Sequence, residues 1–171
     1  HELPEHQRDI VLFALQTGLR QSNVLGLEWS CVNLERRHAF VKAGQSKNRK
    51  AISVPLTDDA LVILQRQIGK HPTRVFTYAG KPLASANTSA WVAALKRAGI
   101  EDFRWHDLRH TWATWHRMAG TPTHELQRLG GWKTGAMVER YAHLAPDALQ
   151  DAAARFGSAV SSYDLATVSK K

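Results

Sequence analysis

The sequence predicts a mainly α-helical fold with a small antiparallel β-sheet near its front, which makes it an α+β domain. Apolar residues recur at helical spacing in several stretches that are bounded by Gly, Pro or capping residues. Two short apolar segments flank a polar, basic loop, as the two strands of a hairpin would. With 171 residues, of which 43% are hydrophobic and 22% charged, the chain is long and apolar enough to bury one core.

Two helices are predicted at the front of the chain. The first begins at Pro4, a residue favoured at helix starts, and ends at Gly18, a residue favoured at helix ends. Ser22 is the expected N-cap of a short second helix that reaches Leu27. This assignment places Arg20 in the turn between the two helices.

The predicted sheet follows these helices. Residues 39–41 and 52–54 should form two strands joined by the basic loop 44–50, and residues 75–77 a third small strand. Between them, Thr57 is expected to cap a helix. The apolar residues expected on that helix are Leu61, Val62, Leu64 and Ile68.

The rest of the chain is predicted to be largely helical. Its elements are a helix around residues 91–95 that ends at Gly99, a helix over 106–118, a helix over 122–129 that ends at Gly130 and Gly131, a helix or extended segment through 137–141, and a helix over 146–156. Leu108, Trp112 and Trp115 recur at i, i+4 and i+7, which predicts one buried helix face. The small and polar residues 157–171 are expected to form a flexible tail.

Charge is distributed unevenly along the chain. The formal net charge is +8, from 23 Lys and Arg against 15 Asp and Glu. Residues 36–100 hold twelve of the basic residues and two of the acidic ones, a formal charge of +10. This pattern favours a polyanionic partner, nucleic acid before a membrane, although a solvated basic surface would look the same. No apolar run approaches the roughly 20 residues that span a bilayer, which excludes a transmembrane protein.

Cysteine content and the start of the chain bear on location. The single cysteine, Cys31, excludes a disulfide framework and a multi-cysteine zinc site, and it suits a reducing compartment. We therefore expect a cytoplasmic protein. The chain opens without an initiator Met and without a charged-then-apolar leader, so we expect no signal peptide and a domain that belongs to a longer protein.

The segment 105–111 is the most informative about chemistry. On a helix, His106 and Arg109 lie three residues apart and share a face, which is expected to point away from the core. An Arg fork beside a His suits phosphate binding with proton transfer, although a solvated helix end would carry the same residues. His106 and His110 have the i, i+4 spacing of metal ligands, but the Arg between them would repel a cation. We expect no metal and no other cofactor.

Four short motifs follow one another along the chain: Thr-Gly-Leu-Arg at 17–20, His-Asp-Leu-Arg-His-Thr at 106–111, Leu-Gly-Gly-Trp at 129–132 and Arg-Tyr-Ala-His at 140–143. In this order they resemble the catalytic domain of the tyrosine recombinases, the phage-integrase family. The resemblance covers residues 1–156 and implies the tyrosine recombinase catalytic-domain fold. The Gly-Gly-Trp-Lys variant resembles phage and mobile-element integrases more than the branch that resolves chromosome dimers.

The resemblance implies the central catalytic residues. Arg20 and Arg109 would bind the non-bridging oxygens of the scissile DNA phosphate, where two fixed guanidiniums stabilise the transition state without a metal. His106 would be the general acid/base, since a pKa near 6.5 suits proton exchange at neutral pH. Tyr141 would be the nucleophile, activated by the positive field of these neighbours.

Other positions follow the family pattern less closely. Lys47, on the basic loop, would protonate the leaving 5′ oxygen, although other lysines of that loop lie nearby. Trp132 stands where most of the family has His, and an indole cannot move a proton. It would therefore position and pack, or be an ordinary core residue. Asn23 stands where an acidic residue is common. The residues expected to contact the DNA backbone are Lys42, Arg49, Lys50 and Lys133.

The resemblance also implies an activity and partners. The protein would be a site-specific recombinase that cleaves and rejoins double-stranded DNA through a 3′-phosphotyrosine intermediate. It would act as a homotetramer on DNA and be monomeric without it, and accessory DNA-bending factors are compatible with this activity. The 171 residues would be a single catalytic domain of a phage- or prophage-encoded integrase whose N-terminal DNA-binding domain is absent from them. The helix over 146–156 would pack on a neighbouring protomer or on its own domain.

Two other functions stay open on the sequence. A type IB topoisomerase uses a similar constellation to nick and reseal one duplex, although the context of Trp132 and Tyr141 argues against it. A non-catalytic DNA-binding module would have the same charge pattern, and would not need Tyr141.

Overall fold

The computed structural model describes residues 2–45, 50–144, 150 and 153–157. Its helices are α1 (Glu5–Thr17), α2 (Gln21–Leu25), α3 (Asp58–Gln65), α4 (Ser89–Arg97), α5 (Asp107–Met118), α6 (Thr123–Gly130) and α7 (Ala136–Glu139). Its strands are β1 (Val32–Asn33), β2 (His38–Val41), β3 (Ile52–Pro55), β4 (Thr77–Tyr78) and β5 (Lys81–Pro82). The prediction of a mainly α-helical fold with a small antiparallel sheet is confirmed.

Helix α1 packs against both α3, from the first half of the chain, and α5, from the second half. Its residues Ile10, Phe13 and Ala14 are at most 1% exposed. The helix ends at Gly18, whose φ of +63° lies in the left-handed region and whose N–H donates to the carbonyl of Ala14 at 2.8 Å. The predicted start at Pro4 and end at Gly18 are both confirmed.

Helix α2 begins two residues earlier than the sequence pattern suggests. Its N-cap is Arg20, not Ser22, so that prediction was wrong. Arg20 has an extended backbone, and its carbonyl accepts the N–H groups of Asn23 and Val24 at 2.9 and 3.0 Å. The helix ends at Leu25, and Leu27 lies beyond it in the core. The backbone of Arg20 is therefore fixed as part of a helix start.

The predicted hairpin is confirmed as β2 and β3, which pair antiparallel with Val41 opposite Ile52. Strand β1 adds a third strand beside β2, and its two residues are too few for a period-2 pattern to reveal. Helix α3 is capped as predicted, because Oγ1 of Thr57 accepts the N–H of Ala60 at 3.2 Å. This helix ends at Gln65, so Ile68 lies beyond it and is exposed.

The third small strand begins later than predicted. Strand β4 starts at Thr77 and pairs with β5, whereas Val75 and Phe76 lie in the core. The N–H of Val75 donates to the carbonyl of Leu27 at 3.0 Å, and the ring of Phe76 lies 5.1 Å from that of Phe13. These residues therefore pack a connecting segment onto α1 instead of extending the strand.

Helix α5 is buried along a different stripe from the predicted one. Leu108 and Trp112 are each 4% exposed, as predicted, but Trp115 is 54% exposed, so the prediction for Trp115 was wrong. The other buried residues of the helix are Arg109, Ala113 and Arg117. Successive residues of a helix are rotated by about 100° around its axis. The buried residues of α5 are therefore centred near Arg109, and Trp115 lies beyond the edge of the buried face.

Two hydrophobic clusters form the interior. The larger one joins α1, the three-stranded sheet, α3 and α4, and the smaller one lies under α5, α6 and α7. The smaller cluster consists of Trp112, Ala113, Leu126, Val138 and Tyr141, with Leu129 and Trp132 against it. Residues 153–157 are helical and exposed, and the remainder of the predicted helix over 146–156 lies outside the described residues except at 150, as does the tail from 158 on. Within the described chain, no helix is long and apolar enough to cross a membrane.

Candidate active site

Arg109 lies buried at the centre of the site, where three helices meet. Its side chain is 3% exposed, so the expectation that it points away from the core was wrong. Nη1 donates to the carbonyl of Gly18 at 2.7 Å, just beyond α1, and Nη2 donates to the carbonyl of Gly130 at the end of α6. Burial, followed by the charge of Arg20, lowers the pKa of Arg109 to about 10, which leaves the guanidinium charged at neutral pH.

Trp132 holds the guanidinium of Arg109 from one side, and Trp112 packs against Trp132. Cζ of Arg109 lies 4.1 Å from the ring centroid of Trp132, a cation–π contact, and Trp132 stacks on Trp112 with centroids 6.0 Å apart. The two stacked indole rings leave no room for a side chain at the glycines next to them, Gly18 and Gly130. A Cβ on Gly18 would lie 2.2 Å from Trp112, and one on Gly130 would lie 2.0 Å from Trp132. Trp132 therefore both packs and holds Arg109.

Arg20 lies beside Arg109. It is half-buried, and its Nη1 has no hydrogen-bond partner among the residues that the structure describes. The charge of Arg20 acts on both Arg109 and His106. In the described part of the chain, no carboxylate forms an ion pair with either arginine. Two cations that no described carboxylate neutralises make this a site that favours an anion.

His106 is the N-cap residue of α5 and stays exposed. Desolvation lowers the pKa of His106, and the charges of His110, Arg109 and Arg20 lower it further, while Asp107 opposes them. The ring of His106 meets that of His110 edge to face, with centroids 5.0 Å apart. Among the described residues, no group of three or more His, Cys, Asp or Glu could hold a metal ion.

Tyr141 follows α7 and is 6% exposed. Its hydroxyl hydrogen-bonds Nδ1 of His110, and the ring of Trp132 lies on another side of it, with centroids 6.3 Å apart. Burial raises the pKa of Tyr141, although the charges of Arg140 and Arg109 lower it. We expected the neighbouring positive charges to lower the pKa of this phenol and so activate it. The net pKa shift is upward instead, because desolvation outweighs those charges.

The contact between His110 and Tyr141 is the part of the site that the sequence pattern does not predict. Burial lowers the pKa of His110, and Arg140, Arg109 and Arg104 lower it further against the opposing charge of Asp107. The i, i+4 spacing from His106 places both histidines on one face of α5. The meeting of His110 with a tyrosine 31 residues later depends on where α7 lies, which periodicity cannot show.

Comparison with known proteins decides the family. A model described as the phage integrase family matches residues 1–147. This chain belongs to the phage integrase family. It is 48% identical to an integrase of Salmonella phage P22, over 92% of this chain and 44% of that protein. It is 30% identical to the tyrosine recombinase XerA of Saccharolobus solfataricus, over 83% of this chain and 47% of that protein.

Solved structures of other integrases are similar in fold to this chain. The catalytic domain of bacteriophage HP1 integrase superposes with a TM-score of 0.64 at 29% identity, over 95% of this chain and 84% of that one. The Tn1549 transposon integrase shares the fold with a TM-score of 0.74 at 20% identity, over 90% of this chain and 59% of that one. The chain spans less than half the length of the two curated relatives named above.

The other predicted site residues lie in different settings. Lys47, the predicted acid, and Arg49, a predicted DNA contact, lie outside the described residues. Nζ of Lys42 pairs with Oε2 of Glu28 at 2.6 Å, which neutralises its charge locally. Lys50 and Lys133 are exposed, next to the ends of β3 and α6. Asn23 is buried on α2, one turn after Arg20.

Proposed function

We propose that this chain is the catalytic domain of a site-specific DNA recombinase, which cleaves and rejoins DNA through a 3′-phosphotyrosine intermediate. The observation that carries the proposal is the meeting of two arginines, which no described carboxylate pairs with, and a tyrosine whose hydroxyl hydrogen-bonds a histidine. The arginines suit an anionic ligand, and the tyrosine supplies an oxygen nucleophile. Family membership over residues 1–147 supports the same activity.

The arginines would bind the scissile phosphate. A guanidinium has five N–H donors. The carbonyls of Gly18 and Gly130 take one each from Arg109, which leaves three for phosphate oxygens. The half-buried Arg20 would add further donors beside these. Donors fixed in this way stabilise the charge of a phosphorane-like transition state, and removing one such group typically costs about 10²–10³ in rate.

Bond changes at the phosphate would then proceed in two steps. The hydroxyl oxygen of Tyr141 attacks phosphorus, the bond to the 5′ oxygen breaks, and a 3′-phosphotyrosine ester conserves the energy of the broken linkage. The 5′-hydroxyl of a partner strand next attacks this ester and releases Tyr141. In this scheme Lys47 protonates the leaving 5′ oxygen and the exposed His106 exchanges protons at the phosphate. Neither step requires ATP or a metal.

Double-stranded DNA is the proposed substrate and partner. The Tn1549 integrase of the same fold was solved in complex with transposon right end DNA, which supports this choice. Exchange between two duplexes requires four cleavages, so we propose a tetramer on DNA and a monomer otherwise. The relative in phage P22 supports a phage or prophage origin.

Covalent trapping tests the proposal directly. The substrate is a pool of duplexes with randomised sequence around a nick, placed so that cleavage releases a short fragment and prevents rejoining. Wild-type chain at low salt should form a protein–DNA adduct that survives denaturing electrophoresis, and sequencing the trapped DNA gives the preferred site. Tyr141→Phe should form none. Absence of a wild-type adduct, or persistence of an adduct in Tyr141→Phe, would overturn the proposal.

The two competing functions give different results in related assays. A type IB topoisomerase would relax supercoiled plasmid without any pair of sites, whereas a recombinase exchanges strands between two copies of the trapped sequence. A non-catalytic module would bind the duplex equally well with Tyr141 or Phe and would never form an adduct.

A further inference from the structure

The hydroxyl of Tyr141 meets a histidine other than the one that the family motif singles out. Its hydrogen-bond partner is Nδ1 of His110, whereas His106 lies one helical turn earlier and touches the ring of His110. Arg140 is the other polar side chain at the hydroxyl, and an arginine cannot accept a proton. His110 is thus the proton acceptor at the nucleophile among the described residues.

The surroundings of His110 lower its pKa and so favour the neutral form of its ring. Burial is the largest cause of the lowered pKa. The positive charges of Arg140, Arg109 and Arg104 lower it further, whereas the negative charge of Asp107 raises it. The ring of His106, stacked edge to face, disfavours a second proton on the pair. In the tautomer that carries its hydrogen on Nε2, a neutral ring has a lone pair on Nδ1 that can accept the phenol O–H.

The buried phenol needs such an acceptor. Burial raises the pKa of Tyr141, so a free phenolate is scarce at neutral pH. Attack on a phosphate therefore requires that the proton leave as the new bond forms, and the base must lie within hydrogen-bond reach of the oxygen. The described structure provides this contact before any ligand is bound.

We propose that His110 is the catalytic base that activates Tyr141 for cleavage and returns the proton for rejoining. This inference rests on the proposed recombinase function. As the phenol oxygen bonds to phosphorus, its proton passes to Nδ1 of His110 and the phosphorus–5′-oxygen bond breaks. In the reverse step a 5′-hydroxyl attacks, the phosphorus–phenol bond breaks, and the imidazolium returns its proton to Tyr141. His106, near Arg20 and Arg109, is left to act on the phosphate side.

The test compares His110 variants on the trapped duplex and on the same duplex with a sulfur in place of the leaving 5′ oxygen. A thiolate leaves without a proton, so this substrate removes the need for a general acid but not for a base. His110→Ala should slow adduct formation by about 10²–10⁴ on both substrates, the usual range for general acid–base catalysis. If the sulfur substrate restores the rate of His110→Ala, the residue acts as an acid and the proposal is overturned.

A second variant separates a base from a positioning residue. His110→Asn keeps an acceptor near Nδ1 that can hold the Tyr141 hydroxyl but cannot take its proton, so it should be as slow as His110→Ala. A wild-type rate in His110→Asn would overturn the proposal. His124→Ala, at an exposed position of α6, is the matched control and should react like wild type. Far-UV circular dichroism and thermal unfolding of each variant establish that it is folded.

The pH profile gives an independent readout. Wild-type adduct formation should fall at acidic pH as His110 becomes protonated, and His110→Ala should lose this acidic limb while its slow rate rises with pH. An unchanged acidic limb in His110→Ala would overturn the inference. If wild type forms no adduct on any duplex, the proposed function itself fails. If wild type reacts and His110→Ala reacts equally fast, only the role of His110 fails.

Discussion

Nη1 of Arg109 donates a 2.7 Å hydrogen bond to the carbonyl of Gly18, which lies 91 residues earlier in the chain. Gly18 is also in contact with Trp112, one turn after Arg109 on the same helix. The residue that ends α1 therefore positions both an arginine and a tryptophan of α5. Its carbonyl orients the guanidinium, and its lack of a side chain admits the indole.

Replacing Gly18 with Ala should destabilise the protein for two reasons. The φ of +63° disfavours any L side chain by about 1 kcal/mol. A Cβ would also lie 2.2 Å from Trp112, and overpacking of this kind costs about 1–3 kcal/mol. We expect Gly18→Ala to lower the free energy of unfolding by roughly 2–4 kcal/mol, measured by urea denaturation.

Gly69→Ala is the matched control for this substitution. Gly69 has a φ of +81° but no atom within 4 Å of its Cβ position, so it carries the backbone strain without the contact. It should cost only about 1 kcal/mol. Equal losses in the two variants would show that Trp112 moves aside and that the contact with Gly18 does not constrain the site.

Arg109→Lys should abolish most of the proposed cleavage while keeping the charge. An ammonium group cannot form the planar fork that reaches two carbonyls and still presents donors to a phosphate. We expect covalent adduct formation on the nicked duplex to fall about 10²–10³-fold. Arg128→Lys, at an exposed position of α6, should leave the rate unchanged. A loss in Arg109→Lys no greater than that of Arg128→Lys would mean that a point charge suffices.

The fold was largely predictable because its elements have strong local signals. Helix α1 has a Pro start and a Gly end, α3 has the Thr57 cap, and the hairpin has period-2 segments around a polar loop. Strand β1 was missed because two residues carry no measurable period. The phase of α5 was misjudged because a buried Arg109 counts as polar in any hydrophobic pattern, which moved the expected buried face toward Trp115.

The candidate site was predictable in its members more than in its contacts. Arg20, His106, Arg109 and Tyr141 lie together in the structure, in motifs that the sequence alone picks out. Which histidine meets the tyrosine depends on how the segment after α7 packs against α5, a tertiary relationship without a sequence period. The same holds for the carbonyls that orient Arg109, because backbone acceptors leave no trace in residue identity.

Trp132→Ala should weaken cleavage through Arg109. Loss of the ring removes the cation–π contact at 4.1 Å and the stack on Trp112, so the guanidinium is no longer held from that side. We expect adduct formation to fall about tenfold or more, since a cation–π contact contributes up to about 2 kcal/mol. Trp132→Phe, which retains an aromatic face, should recover most of this rate. Trp115→Ala, at an exposed position of α5, should change neither rate nor stability by a measurable amount.

Stability should fall as the solution is acidified below neutral pH. The pKa values of His106, His110 and His116 are all lowered, mainly by burial, from an ordinary value near 6.5. Between 6.5 and those lower values the unfolded chain binds more protons than the folded one, so the free energy of unfolding decreases as pH falls through this window. Urea denaturation at several pH values should show the decrease, and His116→Gln should reduce it. His124→Gln, at an exposed site, should leave the pH slope as in wild type.

Salt dependence of DNA binding should separate two lysines on either side of the basic loop. Lys50 is exposed with no described ion pair, whereas the charge of Lys42 is neutralised by Glu28 at 2.6 Å. Each phosphate contact releases counterions and makes the negative slope of log K against log salt concentration steeper by about 0.9. Lys50→Ala should therefore make this slope shallower by about 0.9 in fluorescence anisotropy titrations with a duplex. Lys42→Ala should change it by much less. Equal slopes for the two variants would show that Lys42 leaves Glu28 to bind the DNA backbone.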